Sequence, residues 1–307
     1  MKRLHWGILA TAIGMGCGSA VAQRTDYSKV EIKTTHVAGN VYMLEGSGGN
    51  IGVSVGDDGI LIVDDQFAPL AEKIMVALRE LRRRKAANGK NEKMQVGTDH
   101  PTFVLNTHYH GDHVGGNPTF GRDATIVAHT NVRKRLEAGG PRSGPMEKIG
   151  LPMITFDESL SIHFNGEEIR ALHMPHGHTD GDSVIFFTKS NVVHMGDHLF
   201  NGMFPFVDLD SGGDVIGYIR NVKSVIDQVP PDVKVIAGHG PLTDLDGLKR
   251  FHRMLVETTD IVRSRLAAGE TLAQIKSVAL PDKWEKWGTG FISTERWLET
   301  IHKSLSK

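Results

Sequence analysis

Apolar and polar residues alternate over residues 29–33 and 41–45, the pattern of strands whose side chains point to opposite faces in turn. Apolar runs at 51–55 and 59–63 flank Gly56-Asp57-Asp58-Gly59, which predicts a hairpin. The period then changes to helical: Leu70, Ile74, Ala77, Leu78 and Leu81 follow Ala68-Pro69, and the segment ends in Arg82-Arg83-Arg84-Lys85, where cations suit the helix dipole. Residues 86–100 are polar and glycine-containing and read as a surface loop before a strand at 101–106. A strand at 124–128 and a helix at 131–138 follow, the helix stopped by Gly139-Gly140-Pro141, with an irregular loop over 141–152. Further strands are expected around 154, at 160–164 and at 168–173, the last two joined by the turn Asn165-Gly166. Residues 183–188 and 191–194 form another hairpin. Helices at 214–228, 244–267 and 294–303 and a buried strand at 234–237 complete the chain. Strands and helices alternate throughout, so the class is α/β or α+β with layered sheets.

The length suits one large domain over residues 23–307. Residues 1–22 read as a signal peptide: Lys2 and Arg3, an apolar stretch to about Met15, then Ser19-Ala20-Val21-Ala22 with the small-x-small rule met at Ala20 and Ala22. Cleavage after Ala22 predicts a periplasmic or secreted protein, and moves the formal charge from -1 to about -3 by removing two cations. Such a balance, without long basic runs, excludes nucleic acid as the expected ligand and leaves a small molecule. No second transmembrane segment is evident. Cys17, the only cysteine, lies in the leader, where it could alternatively be a lipidation site. The mature protein then has no disulfide and no thiolate, so any metal must be held by His, Asp or Glu.

The chemistry concentrates in Thr107-His108-Tyr109-His110-Gly111-Asp112-His113, directly after the strand at 101–106. Imidazole nitrogens and carboxylate oxygens are the usual zinc ligands when cysteine is absent, and a catalytic zinc keeps one position open for water. Three later stretches repeat one design, a strand end followed by a potential ligand beside glycine: Gly177-His178-Thr179-Asp180-Gly181-Asp182, Gly196-Asp197-His198 and Gly238-His239-Gly240. Together they offer enough ligands for two metals.

In this order the four motifs resemble the metallo-β-lactamase superfamily, over residues 36 to 240. The resemblance implies a four-layer αββα sandwich with the metals at the sheet edge. It implies two zinc ions per chain: His108, His110 and His178 on one, Asp112, His113 and His239 on the other, and Asp197 bridging both. It further implies hydrolysis of a lactam, lactone, ester or thioester by a water activated between the metals, with Asp112 orienting that water and shuttling a proton. Zinc β-lactamases of the best-known subclass carry cysteine at the position of Asp197 and lysine three residues later, where this chain has Phe200, so β-lactamase activity is one open activity within a wider hydrolase class. An iron-dependent oxidoreductase or dioxygenase on the same fold, and a non-catalytic metal-binding envelope protein, are the alternatives.

Around these ligands, Thr179, Asp182 and Asn106 are expected to orient ligand imidazoles, and His173, His176 and His198 are candidates for the pocket lining. Gly48-Gly49-Asn50 is read as a turn rather than a mobile hairpin over the site. Met203 to Phe206 form either a pocket wall or a buried loop, and Trp284 and Trp287 pack the C-terminal helices.

Overall fold

The computed structural model describes residues 26–88, 99–140 and 144–307; the expected signal peptide and its cleavage site lie outside them. Seven strands form the first sheet in sequence order: β1 (Lys33–Ala38), β2 (Val41–Glu45), β3 (Ile51–Gly56), β4 (Gly59–Val63), β5 (Phe103–Leu105), β6 (Thr125–His129) and β7 (Ile154–Phe156). β1 to β4 are an antiparallel meander, and β4 to β7 run parallel. The second sheet contains β8 (Ser159–Phe164), β9 (Glu167–His173), β10 (Ser183–Phe187), β11 (Val192–His194), β12 (Lys234–Ile236) and β13 (Thr243–Asp244), in the order β13-β12-β11-β10-β9-β8.

Alternation along each strand builds the layers. In β4, Leu61 and Val63 point inward to meet Ile169, Ile185, Phe187 and Ile236 of the second sheet. Ile60 and Ile62 point outward, onto Leu70, Ile74, Leu78 and Leu81 of the helix Ala71–Asn88 and the short turn before it. Val184, Phe186, Val193 and Val235 on the far face of the second sheet pack against the helices Val215–Gln228, Leu245–Ala267 and Thr294–Leu305. The result is helix, sheet, sheet, helix, the expected αββα sandwich. Trp284, Trp287 and Trp297 are buried in the last of these cores.

The strand expected at 29–33 is displaced: β1 begins at Lys33, and Tyr27–Lys29 form a 3₁₀ turn. The cause is side-chain competition for the backbone. Asp26 accepts from the Ser28 amide, and the Lys73 ammonium donates to the carbonyls of Tyr27, Ser28 and Val30. The Asn165-Gly166 turn stands as expected, with positive φ at both residues (54° and 77°).

Four strands that run parallel to a neighbour, β4, β5, β11 and β12, end at one edge of the sandwich. Past their C-terminal ends come Asp64, His108, Asp197 and His239, the position in which open α/β sheets place their ligands.

Candidate metal centre

The seven residues singled out in the sequence converge. His108, His110, His178 and Asp197 form one group, and Asp112, His113 and His239 a second, each with ligand atoms within 4.8 Å of one another. Asp197 stands between them. Its Oδ2 is 3.4 Å from His178 Nε2 and 3.7 Å from His108 Nε2, while its Oδ1 is 3.1 Å from His113 Nε2 and 3.4 Å from His239 Nε2. Asp112 Oδ2 lies 3.3 Å from His239 Nε2.

Outward hydrogen bonds set which ring nitrogen faces in. His178 donates from Nδ1 to the Phe206 carbonyl (2.7 Å) and His113 from Nδ1 to Asp64 Oδ2 (2.7 Å). His110 donates from Nε2 to Asp208 Oδ2 (3.0 Å). The Thr107 hydroxyl donates to Asp64 Oδ2 and thereby accepts from His108 Nδ1 (3.0 Å). Each of these four rings thus spends its outer nitrogen on the scaffold and turns the other one inward. His108 Nε2 is buried with no hydrogen-bond partner, and His178 Nε2 faces His110 Nδ1 at 2.8 Å. Two inward lone pairs at that separation repel, and a cation between them removes the conflict; the donor set fits a divalent metal.

The electrostatics divide in the same way. Burial pushes His108 well below the usual imidazole range, reinforced by the neighbouring His113, and brings His178 down to about 4. In the second group burial acts downward too, but Asp197 and Asp112 outweigh it, raising His239 to about 9 and His113 well above its ordinary value. Burial would raise both carboxyls. The facing imidazoles, His113 foremost, instead hold Asp112 down to about 2 and Asp197 well below the usual carboxylate range.

Some expected partners are elsewhere. Thr179 and Asp182 bond each other rather than a ligand ring, through the Thr179 amide and hydroxyl, and Asn106 exchanges hydrogen bonds with Asn117. They shape the loops that carry ligands instead of orienting the imidazoles. Asp64, which lies outside the four motifs, has that role. Fully buried with φ at 64°, it accepts from the Thr107 amide, the Thr107 hydroxyl and His113. Its only sequence signal is a carboxylate at the end of an apolar strand, where burial without a partner would be costly.

Gly48-Gly49-Asn50 is a turn, but a stitched one. The Gly49 amide donates to the Asp112 carbonyl (3.1 Å), and Asn50 Nδ2 donates to the carbonyls of Ala237 and Gly240. A Cβ at Gly49 would enter the His113 ring, and one at Gly238 would strike Asp197 Oδ1, so both positions require glycine. Phe204 is buried against Trp297, whereas Phe206 is half-buried and lies 5.7 Å and 5.8 Å from the His110 and His178 rings. Both expectations for this stretch therefore hold, at different residues.

His173, His176 and His198 join neither group. His198 is buried in a stack on Tyr218, whose hydroxyl donates to the Asp197 carbonyl and steadies that loop. His173 stacks on His129 at 3.8 Å. His129 also caps the helix Thr130–Ala138 by accepting from the Asn131 amide, and burial beside His173 pushes it down to about 4. A folded value below the ordinary 6.5 means stability that is complete above the unfolded value and is lost as pH falls through that window toward 4. In metal-stripped protein, His129→Asn keeps a capping side chain. Between pH 7 and 4 the wild type should therefore lose about 1 kcal/mol more than this variant in urea titrations, after allowance for solvent screening.

Comparison with known proteins agrees with the geometry. The model of the metallo-beta-lactamase superfamily matches residues 77–244, more than half of the chain. An uncharacterized protein of Aquifex aeolicus is 30% identical over 155 residues, covering 48% of this chain and 72% of that protein. Hydroxyacylglutathione hydrolase GloC of Haemophilus influenzae is 29% identical over 164 residues, 50% of this chain and 74% of that enzyme. Among solved structures, the DIM-1 metallo-beta-lactamase superposes with a TM-score of 0.57 at 16% identity, covering 74% of this chain and 98% of its own, a likeness of fold. Four ligand-bearing loops at one sheet edge, the αββα layers and the family match together lead to one conclusion: the chain belongs to the metallo-beta-lactamase superfamily and is a metal-dependent hydrolase.

Proposed function

We propose that the protein is an exported binuclear zinc hydrolase acting on the carbonyl of a small ester, thioester or lactone. The observation that carries this reading is Asp197, whose two oxygens face two separate imidazole groups. His108, His110 and His178 would hold one ion, Asp112, His113 and His239 the other, with Asp197 shared. Bound zinc supplies an activated water and Lewis-acid polarisation of the scissile carbonyl.

The chain's own residues supply position and proton traffic. Asp64, Asp208 and the Phe206 carbonyl lock the rings of His113, His110 and His178 before metal arrives. Asp112 is partly open to solvent and already deprotonated in the neutral range, so it can accept a proton from water at the mouth of the site and release it outward. Phe200 stacks on His239 at 4.9 Å, an apolar ring where a lysine would grip a β-lactam carboxylate, which supports esters and lactones above β-lactams. Export rests on the leader ending at Ala22, and places the enzyme in the periplasm or outside the cell.

The test is elemental analysis joined to a hydrolysis screen over esters, thioesters, lactones and β-lactams. Two zinc ions per chain, ester or lactone turnover, and loss of turnover on chelation with recovery on adding zinc are expected. Iron in place of zinc, or a zinc-loaded protein inert toward every substrate class, would overturn the reading.

A further inference from the structure

A cleft of about 500 Å³ opens beside the first imidazole group, lined by Phe206, Asp208, Arg296 and residues of the C-terminal helix Thr294–Leu305. Phe206 is its inner wall, with its ring against His110 and His178. Phe291 meets Phe206 edge-on at 6.3 Å and is 70% exposed, an apolar ring left in water. The Arg296 guanidinium lies 5.7 Å from the Phe206 ring and 5.8 Å from the Phe291 ring.

The charges of the cleft are otherwise largely matched. Lys276 pairs with Glu295 and Glu299, and Lys303 with Glu299. Asp208 is taken up by His110, Tyr109 and Ser211, while Asp210 sits exposed at the rim. Among the described residues the Arg296 guanidinium makes no ion pair and lies against the two rings. The Arg296 side chain is exposed, and a guanidinium held beside aromatic rings keeps its N–H edge for a planar anion, which it binds through paired hydrogen bonds.

We infer that Arg296, Phe206 and Phe291 form a substrate anchor for a carboxylate carried on a flat apolar group, with Phe206 setting that group beside the metal centre. The substrate is then an ester, thioester or lactone whose apolar part bears a carboxylate. This inference rests on the hydrolase reading for its role but not for its binding chemistry.

Binding and turnover are therefore read separately. By calorimetry on metal-stripped protein, 2-naphthoate is expected to bind at least about tenfold tighter than neutral 2-naphthamide. Arg296→Gln should remove that preference, Arg296→Lys should retain part of it, and Phe291→Ala should weaken both probes. With zinc-loaded enzyme, Arg296→Gln should raise KM for an aryl ester bearing a carboxylate at least about tenfold more than KM for its uncharged amide analogue, with the effect in KM rather than kcat. Equal binding of the two naphthalene probes, or discrimination that survives Arg296→Gln, overturns the anchor even if uncharged esters are hydrolysed. Naphthoate selectivity lost in Arg296→Gln, in a protein that turns over no ester, upholds the anchor and overturns the hydrolase reading.

Discussion

Asp197→Asn is expected to reduce bound zinc from two ions to one or fewer and to slow hydrolysis by about a thousandfold, equivalent to ~4 kcal/mol of transition-state stabilisation. Asparagine keeps the shape of the side chain, so the loop anchored by Tyr218 on the Asp197 carbonyl should stay in place. The change lies in charge and in bridging. The carboxylate offers one oxygen to His108 and His178 and the other to His113 and His239, and an amide replaces one of these acceptors by a donor aimed at imidazoles. Without the negative charge, His113 and His239 also lose the principal support for their raised pKa values. Metal content by elemental analysis and kcat/KM on one ester check the effect; wild-type rates with two zinc ions retained would remove the bridging role.

Asp64→Ala should cost about 3–5 kcal/mol of folding stability, because it strips a buried acceptor from three donors at once. The Thr107 amide and hydroxyl and the His113 ring lose their shared partner in a fully enclosed site. His113 is then free to turn, and His108 loses the hydroxyl orientation that fixes its own ring. Zinc affinity should fall by about 10- to 100-fold, as when a partner behind a metal-ligating histidine is removed. Urea denaturation of the metal-stripped protein separates the folding loss from the metal loss. A variant as stable as the wild type would show that Asp64 is dispensable to the fold.

Metal affinity and folding are linked in the proposed site by geometry. The ligand rings are held from behind by groups of the scaffold, so the energy that orders them is committed when the strands pair rather than when metal binds. That is why Asp64, which touches neither ligand group's inner face, is expected to affect both measurements.

The positions of most strands, the helical period after Ala68 and the apolar run of β4 were legible because each is a local pattern imposed by burial on one or both faces. The same holds for His108, His110, Asp112 and His113, which share one loop, and for His178, Asp197 and His239, each beside a glycine after a strand. Local pattern misled at residues 29–33, where Lys73, distant in sequence, captures three carbonyls and shifts the start of β1. It also misassigned Thr179, Asp182 and Asn106, since a polar side chain near a ligand has several partners in reach and only the packed structure selects among them.

By itself, then, the sequence determined the layered class and singled out the candidate ligands, because both depend on residue type and short spacing. Tertiary structure alone decided which ring nitrogens face inward, that Asp64 and Asp208 stand behind His113 and His110, and that Arg296 comes to rest on Phe206 some ninety residues away. Those relations join segments whose separation along the chain carries no pattern, and they arise only when the two sheets pack and bring the ends of β4, β5, β11 and β12 to one edge.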